Sequence, residues 1–162
     1  MPSNPAVAFG PGIYQDWLAA LAACPAMAHP VNLSLYGVAA RLGIPWLGTV
    51  LAVGLLGGIS LLVWKRRPPV ETVSGLAIPG MLLASPFAWA GYALLTLPIF
   101  MSRRGSWRLV AAAVLLTVPG YAVAASDAIF PLGRLSGGMI YPIALMLLLW
   151  ELTRREVDSG GE

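Results

Sequence analysis

The stretch WLGTVLAVGLLGGISLLVW, residues 46–64, is nineteen uncharged residues closed by Lys65-Arg66-Arg67-Pro68-Pro69. A helix needs about 20 apolar residues to cross a bilayer core of about 30 Å. This stretch is that long, and the basic cluster with two prolines ends it sharply, so it predicts a transmembrane helix. The whole chain agrees. Its 162 residues are 58% hydrophobic and 10% charged, and its mean hydropathy is +0.78. Soluble domains are about 25% charged, so this composition argues against a soluble globule and equally against disorder.

Three further apolar stretches follow. Val73–Met101 is uncharged for 29 residues, with Pro79-Gly80 and Ser85-Pro86 inside it. Leu109–Ala125 carries Pro119-Gly120, and Met139–Trp150 leads into Glu151, Arg154 and Arg155. A single helix over 29 residues would be about 44 Å long, too long for one upright span. Basic residues gather on the cytoplasmic side of membrane proteins. Splitting the stretch at Ser85-Pro86 puts eight of the ten Lys and Arg residues on one side and leaves Arg41 and Arg134 opposite. The expected fold is therefore an all-α integral membrane protein of about five spans, 46–64, 70–85, 87–102, 108–126 and 138–153. The tail 156–162 is cytoplasmic, the plasma (inner) membrane is the expected location, and lipids are partners. The basic clusters become membrane anchors, so nucleic acid is not expected as a partner.

Residues 1–45 read as an extracytoplasmic segment with two short amphipathic helices. Ile13, Trp17 and Leu21 fall on one helical face, as do Leu35, Val38, Ala39 and Leu42. Forty-five residues reaching the outer side with no signal peptide and no earlier span lead us to expect that the chain is the C-terminal piece of a larger polytopic protein.

Candidate chemistry is sparse. One cysteine, Cys24, and one histidine, His29, exclude an internal disulfide framework and a Cys/His zinc cluster; no metal site is expected. Asp16, on the first amphipathic helix, is a candidate catalytic carboxylate or a solvated flank. Asp127 reads as a loop or helix-end residue. Glu71 suits the first turn of the second span. Glu151 is expected to pair with Arg155 one turn on. Asn32-Leu33-Ser34 is a glycosylation sequon or a helix start capped by Asn32. Gly54, Gly57 and Gly58 would let another helix come close.

Two stretches carry a resemblance. One is Tyr14-Gln-Asp-Trp-Leu followed by Asn32-Leu-Ser-Leu-Tyr-Gly-Val-Ala-Ala-Arg41; the other is Leu83-Ala-Ser85-Pro86-Phe-Ala-Trp89-Ala-Gly-Tyr92. Their order and spacing resemble the C-terminal half of glycosyltransferase family 87, the polyprenyl-phosphate-sugar-dependent mannosyl- and arabinofuranosyltransferases of the GT-C class. Asn32, Ser34, Leu35, Gly37 and Arg41 match one family pattern, and Ser85, Pro86 and Trp89 match the other. Leu33 and Gly91 depart from it, where the family often has Gln and His. The resemblance implies transfer of a sugar from a lipid-phosphate donor to a cell-envelope glycan or glycolipid acceptor. No cofactor is implied in the chain; the lipid-linked sugar is the donor substrate. It further implies that Asn32 and Ser34 bond sugar hydroxyls, that Trp89 stacks on a sugar, that Ser85 belongs to the same outer junction, and that Arg41 and Arg134 meet lipid phosphate. The general base would lie upstream, in a missing N-terminal part. The alternative is a small non-catalytic membrane protein with a structural or assembly role.

Overall fold

The computed structural model describes residues 10, 12–23, 28–102, 106–129 and 133–159. They form helices α1 (Gly12–Ala22), α2 (Leu35–Arg41), α3 (Pro45–Arg66) and α4 (Val70–Ala84), then a 3-10 helix (Ala90–Thr96) that runs into α5 (Leu97–Ser102). Helices α6 (Trp107–Leu116), α7 (Gly120–Ile129) and α8 (Gly133–Ser159) follow. No strand occurs among the described residues, and the fold is all-helical.

The boundaries have local causes. Pro45 opens α3, where its missing N–H costs nothing. Arg67 ends the helix in the left-handed region at φ 46°, donating its N–H to the Val63 carbonyl at 2.9 Å, and Pro68-Pro69 prevents continuation. Glu71 does lie in the first turn of α4. Ser34, not the expected Asn32, caps α2: its Oγ accepts the Gly37 N–H at 3.0 Å, while the Asn32 side chain is engaged elsewhere.

Two expected spans are not continuous α-helix. The 87–102 segment starts as 3-10 helix and becomes α only at Leu97. The 108–126 segment breaks at 117–119, because Pro119 cannot donate to the ladder. Among the described residues α3, at 22 residues, is the helix long and apolar enough to cross a membrane; Val70–Ala84, Ala90–Ser102 and Trp107–Leu116 are apolar but shorter.

Helix α8 is the central post. It packs against α2, α4, α6 and α7, and α4 in turn packs against α3 and the 3-10 helix. The core joins Leu76 and Leu83 of α4, Val123 of α7, and Tyr141, Leu145, Leu148 and Leu152 of α8. The Tyr141 hydroxyl donates to the Val118 carbonyl at 2.6 Å, which satisfies a carbonyl at the α6–α7 break. At one end of the bundle lie Asn32, Pro86 and Gly138. At the other lies an ion pair between Arg108 Nη1 and Glu151 Oε2 at 3.3 Å. Glu151 therefore reaches across to α6; the side chain of Arg155, its expected partner, lies outside the described residues.

Small residues set two of the close approaches. A Cβ on Gly48 would lie 2.8 Å from the Tyr36 Cα, and one on Gly80 would lie 2.6 Å from the Ile59 Cδ1. Backbone cannot yield as a methyl tip can. Gly48→Ala should therefore destabilise by about 1–3 kcal/mol, and Gly80→Ala by clearly less. Equal melting temperatures of the two variants in detergent would refute this. Gly54, Gly57 and Gly58 meet no helix of this chain: nothing described lies within 4 Å of a Cβ built there.

The outer surface is apolar. Trp46, Trp89, Tyr92 and Tyr121 are exposed at the Asn32 end, and Trp64, Trp107 and Trp150 at the Glu151 end. Exposed Val50, Val53, Leu61, Leu94, Val110, Val114 and Met146 lie between these tiers. Trp46 and Trp64 are separated by about 27 Å along α3 at helical rise.

Candidate functional site

The two stretches that carry the resemblance meet in space. Asn32 and Trp89 form an isolated antiparallel bridge, and the Leu33 N–H donates to the Ala88 carbonyl at 2.8 Å. Asn32 is buried and its side chain acts as a clip. Its Oδ1 accepts the Ser34 N–H at 3.1 Å and the Ala88 N–H at 3.3 Å, and its Nδ2 donates to the Pro86 carbonyl at 3.1 Å. The chain around Ser85–Trp89 has left α4 and not yet entered the 3-10 helix, so its peptide groups lack helical partners. Asn32 supplies them. A Cβ on Gly37 would fall 2.9 Å from the Asn32 Cγ, so only glycine lets α2 close over the clip.

Arg41, in the last turn of α2, fastens the same corner to α8. Nη1 donates to the His29 carbonyl at 3.0 Å and the Asn32 carbonyl at 3.4 Å, and Nη2 donates to the Gly138 carbonyl at 2.8 Å. A Cβ on Gly138 would lie 2.7 Å from the guanidinium carbon, so the glycine makes room for the cation. Ser85 shapes its own turn, its Oγ donating to the Phe87 carbonyl at 2.9 Å and accepting the Phe87 N–H at 3.3 Å.

Trp89 is the member of the set that faces outward. Its ring is tilted 55° against the His29 ring, with centroids 5.6 Å apart. The Val31 N–H donates to His29 Nδ1 at 3.3 Å, which leaves Nε2 as the N–H donor of the neutral imidazole. His29, Val31, Trp89, Gly91, Gly120 and Tyr121 line a cavity of about 380 Å³. Aromatic faces with a fixed imidazole donor suit a ring that is apolar on its faces and hydroxylated on its edge.

The structure thus brings Asn32, Ser34, Arg41, Ser85 and Trp89 to one corner. Asn32, Ser34 and Ser85 direct polar atoms to the backbone and not into the cavity. Asp16 lies exposed on α1, and no carboxylate is among the cavity's lining residues. Arg134 is in the first turn of α8, and its side chain lies outside the described residues, as do Cys24 and the side chain of Asp127. No cluster of three or more His, Cys, Asp or Glu able to hold a metal occurs among the described residues. The sequence reading did not anticipate His29, Gly120 and Tyr121 as neighbours of Trp89. Compared with known proteins, the chain matches no family model, no curated protein and no solved structure.

Proposed function

We propose that this chain is a membrane-embedded helical bundle that forms the C-terminal portion of a transferase moving mannose or arabinofuranose from a polyprenyl-phosphate donor to a cell-envelope glycan or glycolipid. The observation that carries this reading is the meeting of the Asn32–Arg41 and Ser85–Trp89 stretches beside one aromatic cavity. Two exposed aromatic tiers, about 27 Å apart at helical rise and separated by exposed aliphatic side chains, support a bilayer around the bundle. Lys65, Arg66, Arg67, Arg108 and Arg154 cluster at the Glu151 end, which supports a cytoplasmic assignment for that end and an outer-leaflet position for the cavity.

In this reading Trp89 and Tyr121 stack on a glycosyl ring and His29 Nε2 donates to one of its hydroxyls. Arg41, its guanidinium oriented by three carbonyls, places a positive charge where a leaving phosphate gathers negative charge. The base that deprotonates the acceptor hydroxyl comes from outside the described residues.

Trp89 is exposed, so Trp89→Ala tests the cavity without opening the core. Sugar transfer from labelled polyprenyl-phosphate donor in membranes should fall about tenfold or more, in line with stacking worth about 1.5 kcal/mol. Transfer at the parent rate would remove the cavity from the reaction. A non-catalytic structural role is the second reading. It is favoured by the engagement of the Asn32, Ser34 and Arg41 polar atoms with backbone, and transfer independent of the whole chain would establish it.

A further inference from the structure

Helices α3 and α8 splay apart beneath α2, and the gap is a groove of about 450 Å³ lined by Leu35, Val38, Leu51, Ile143, Met146 and Trp150 among other apolar side chains. On α8 it runs from Met139 to Trp150, about 17 Å at helical rise. The groove is elongated, open on one side and apolar along its lining, a shape that a hydrocarbon chain can follow.

The groove has a charged end. Val38 lines it one turn before Arg41 on α2, and Met139 lines it next to Gly138, whose carbonyl accepts from Arg41 at 2.8 Å. The guanidinium, half-buried, therefore stands at the mouth on the Asn32 side. Trp150 lines the other end. An apolar groove with a cation beside one end matches a lipid tail below an anionic headgroup.

We propose that this groove binds one chain of an anionic phospholipid, with its phosphate beside Arg41 and its tail lying between α3 and α8 down to Trp150. The proposal rests on the bilayer reading and does not require sugar transfer; its phosphate would compete with a donor phosphate for Arg41. A seated tail fills space that would otherwise separate α2, α3 and α8, so the lipid would act as a structural part of the bundle.

The test is native mass spectrometry of the full chain, delipidated in mild detergent and titrated with dioleoyl phosphatidylglycerol or dioleoyl phosphatidylcholine. We expect one phosphatidylglycerol bound per chain, about tenfold more tightly than phosphatidylcholine. Met146→Trp, which fills the groove at an already exposed position far from Arg41, should weaken binding of both lipids about tenfold. Arg41→Gln should erase the preference between them. Melting temperatures of the lipid-free variants, compared with the parent, identify any that fail to fold. Equal binding by the parent and a folded Met146→Trp variant would overturn the proposal. So would a parent that dimerises through this face and holds no lipid. Carbonate extraction of the chain from membranes would refute the bilayer reading itself, a failure distinct from either.

Discussion

Asn32→Leu should lower the stability of the bundle by about 3–5 kcal/mol, read as a fall in melting temperature in detergent micelles. The change keeps the branched outline of the side chain but replaces its amide oxygen and nitrogen with bulkier methyl groups, so some overpacking adds to the lost hydrogen bonds. Removing the amide takes the side-chain acceptor from the Ser34 and Ala88 N–H groups and the donor from the Pro86 carbonyl. An orphaned buried polar group costs about 1–3 kcal/mol, and three are affected together. Asn32→Asp separates the roles: it keeps the acceptor for both N–H groups and turns the contact with Pro86 into repulsion between oxygens. A melting curve for Asn32→Leu that overlays the parent would show that the clip contributes nothing.

Arg108→Ala is the second large effect, also about 3–5 kcal/mol, because it removes from a nearly buried carboxylate a cation 3.3 Å away. The side chain of Glu151 is 8% exposed and that of Arg108 is 23% exposed, so water reaches the cation side more easily. Arg108 also lies 5.2 Å over the Trp107 ring, a smaller contribution of about 0.5–1 kcal/mol. The double variant Arg108→Ala with Glu151→Leu should recover most of the loss, since a buried pair replaced by apolar groups is often neutral. Additive losses in the double variant would mean that the two residues do not act as a pair.

Helix boundaries were legible because their causes are local. Proline at 45, 68 and 69 and the basic run 65–67 mark ends that any reader of the sequence can place; the end at Pro119 was run through by the expected 108–126 span. Cross-chain partners were not. Asn32 was read as a cap because capping is a local habit of asparagine, yet its bonds go to Pro86 and Ala88, 54 and 56 residues on. Glu151 was assigned to Arg155, a side chain outside the described residues, by helical spacing; its bond to Arg108, 43 residues back, was not foreseen. Arg41 was named for lipid phosphate through the resemblance, as one of two basic residues on the expected outer side; its reach to the Gly138 carbonyl, 97 residues away, was not foreseen. Each of these polar groups pairs according to which helix ends share a corner, and periodicity carries no information about that. The candidate site was legible as a set of residues and not as a geometry. The resemblance grouped Asn32 with Trp89, but His29 and Tyr121 joined them only through the fold.

The clip at Asn32 also orders events in time. A primary amide offers the same donor and acceptor as a peptide unit, so Asn32 stands in for the turn of helix that the chain lacks at 86–88. Asn32 is synthesised more than fifty residues before that junction. If the bundle sits in a bilayer, the peptides at 86–88 can leave water cheaply only once the 28–41 segment has reached the same side. In that reading the early segment is a mould for the later one, and a delay in its crossing should strand residues 70–102 at the membrane surface.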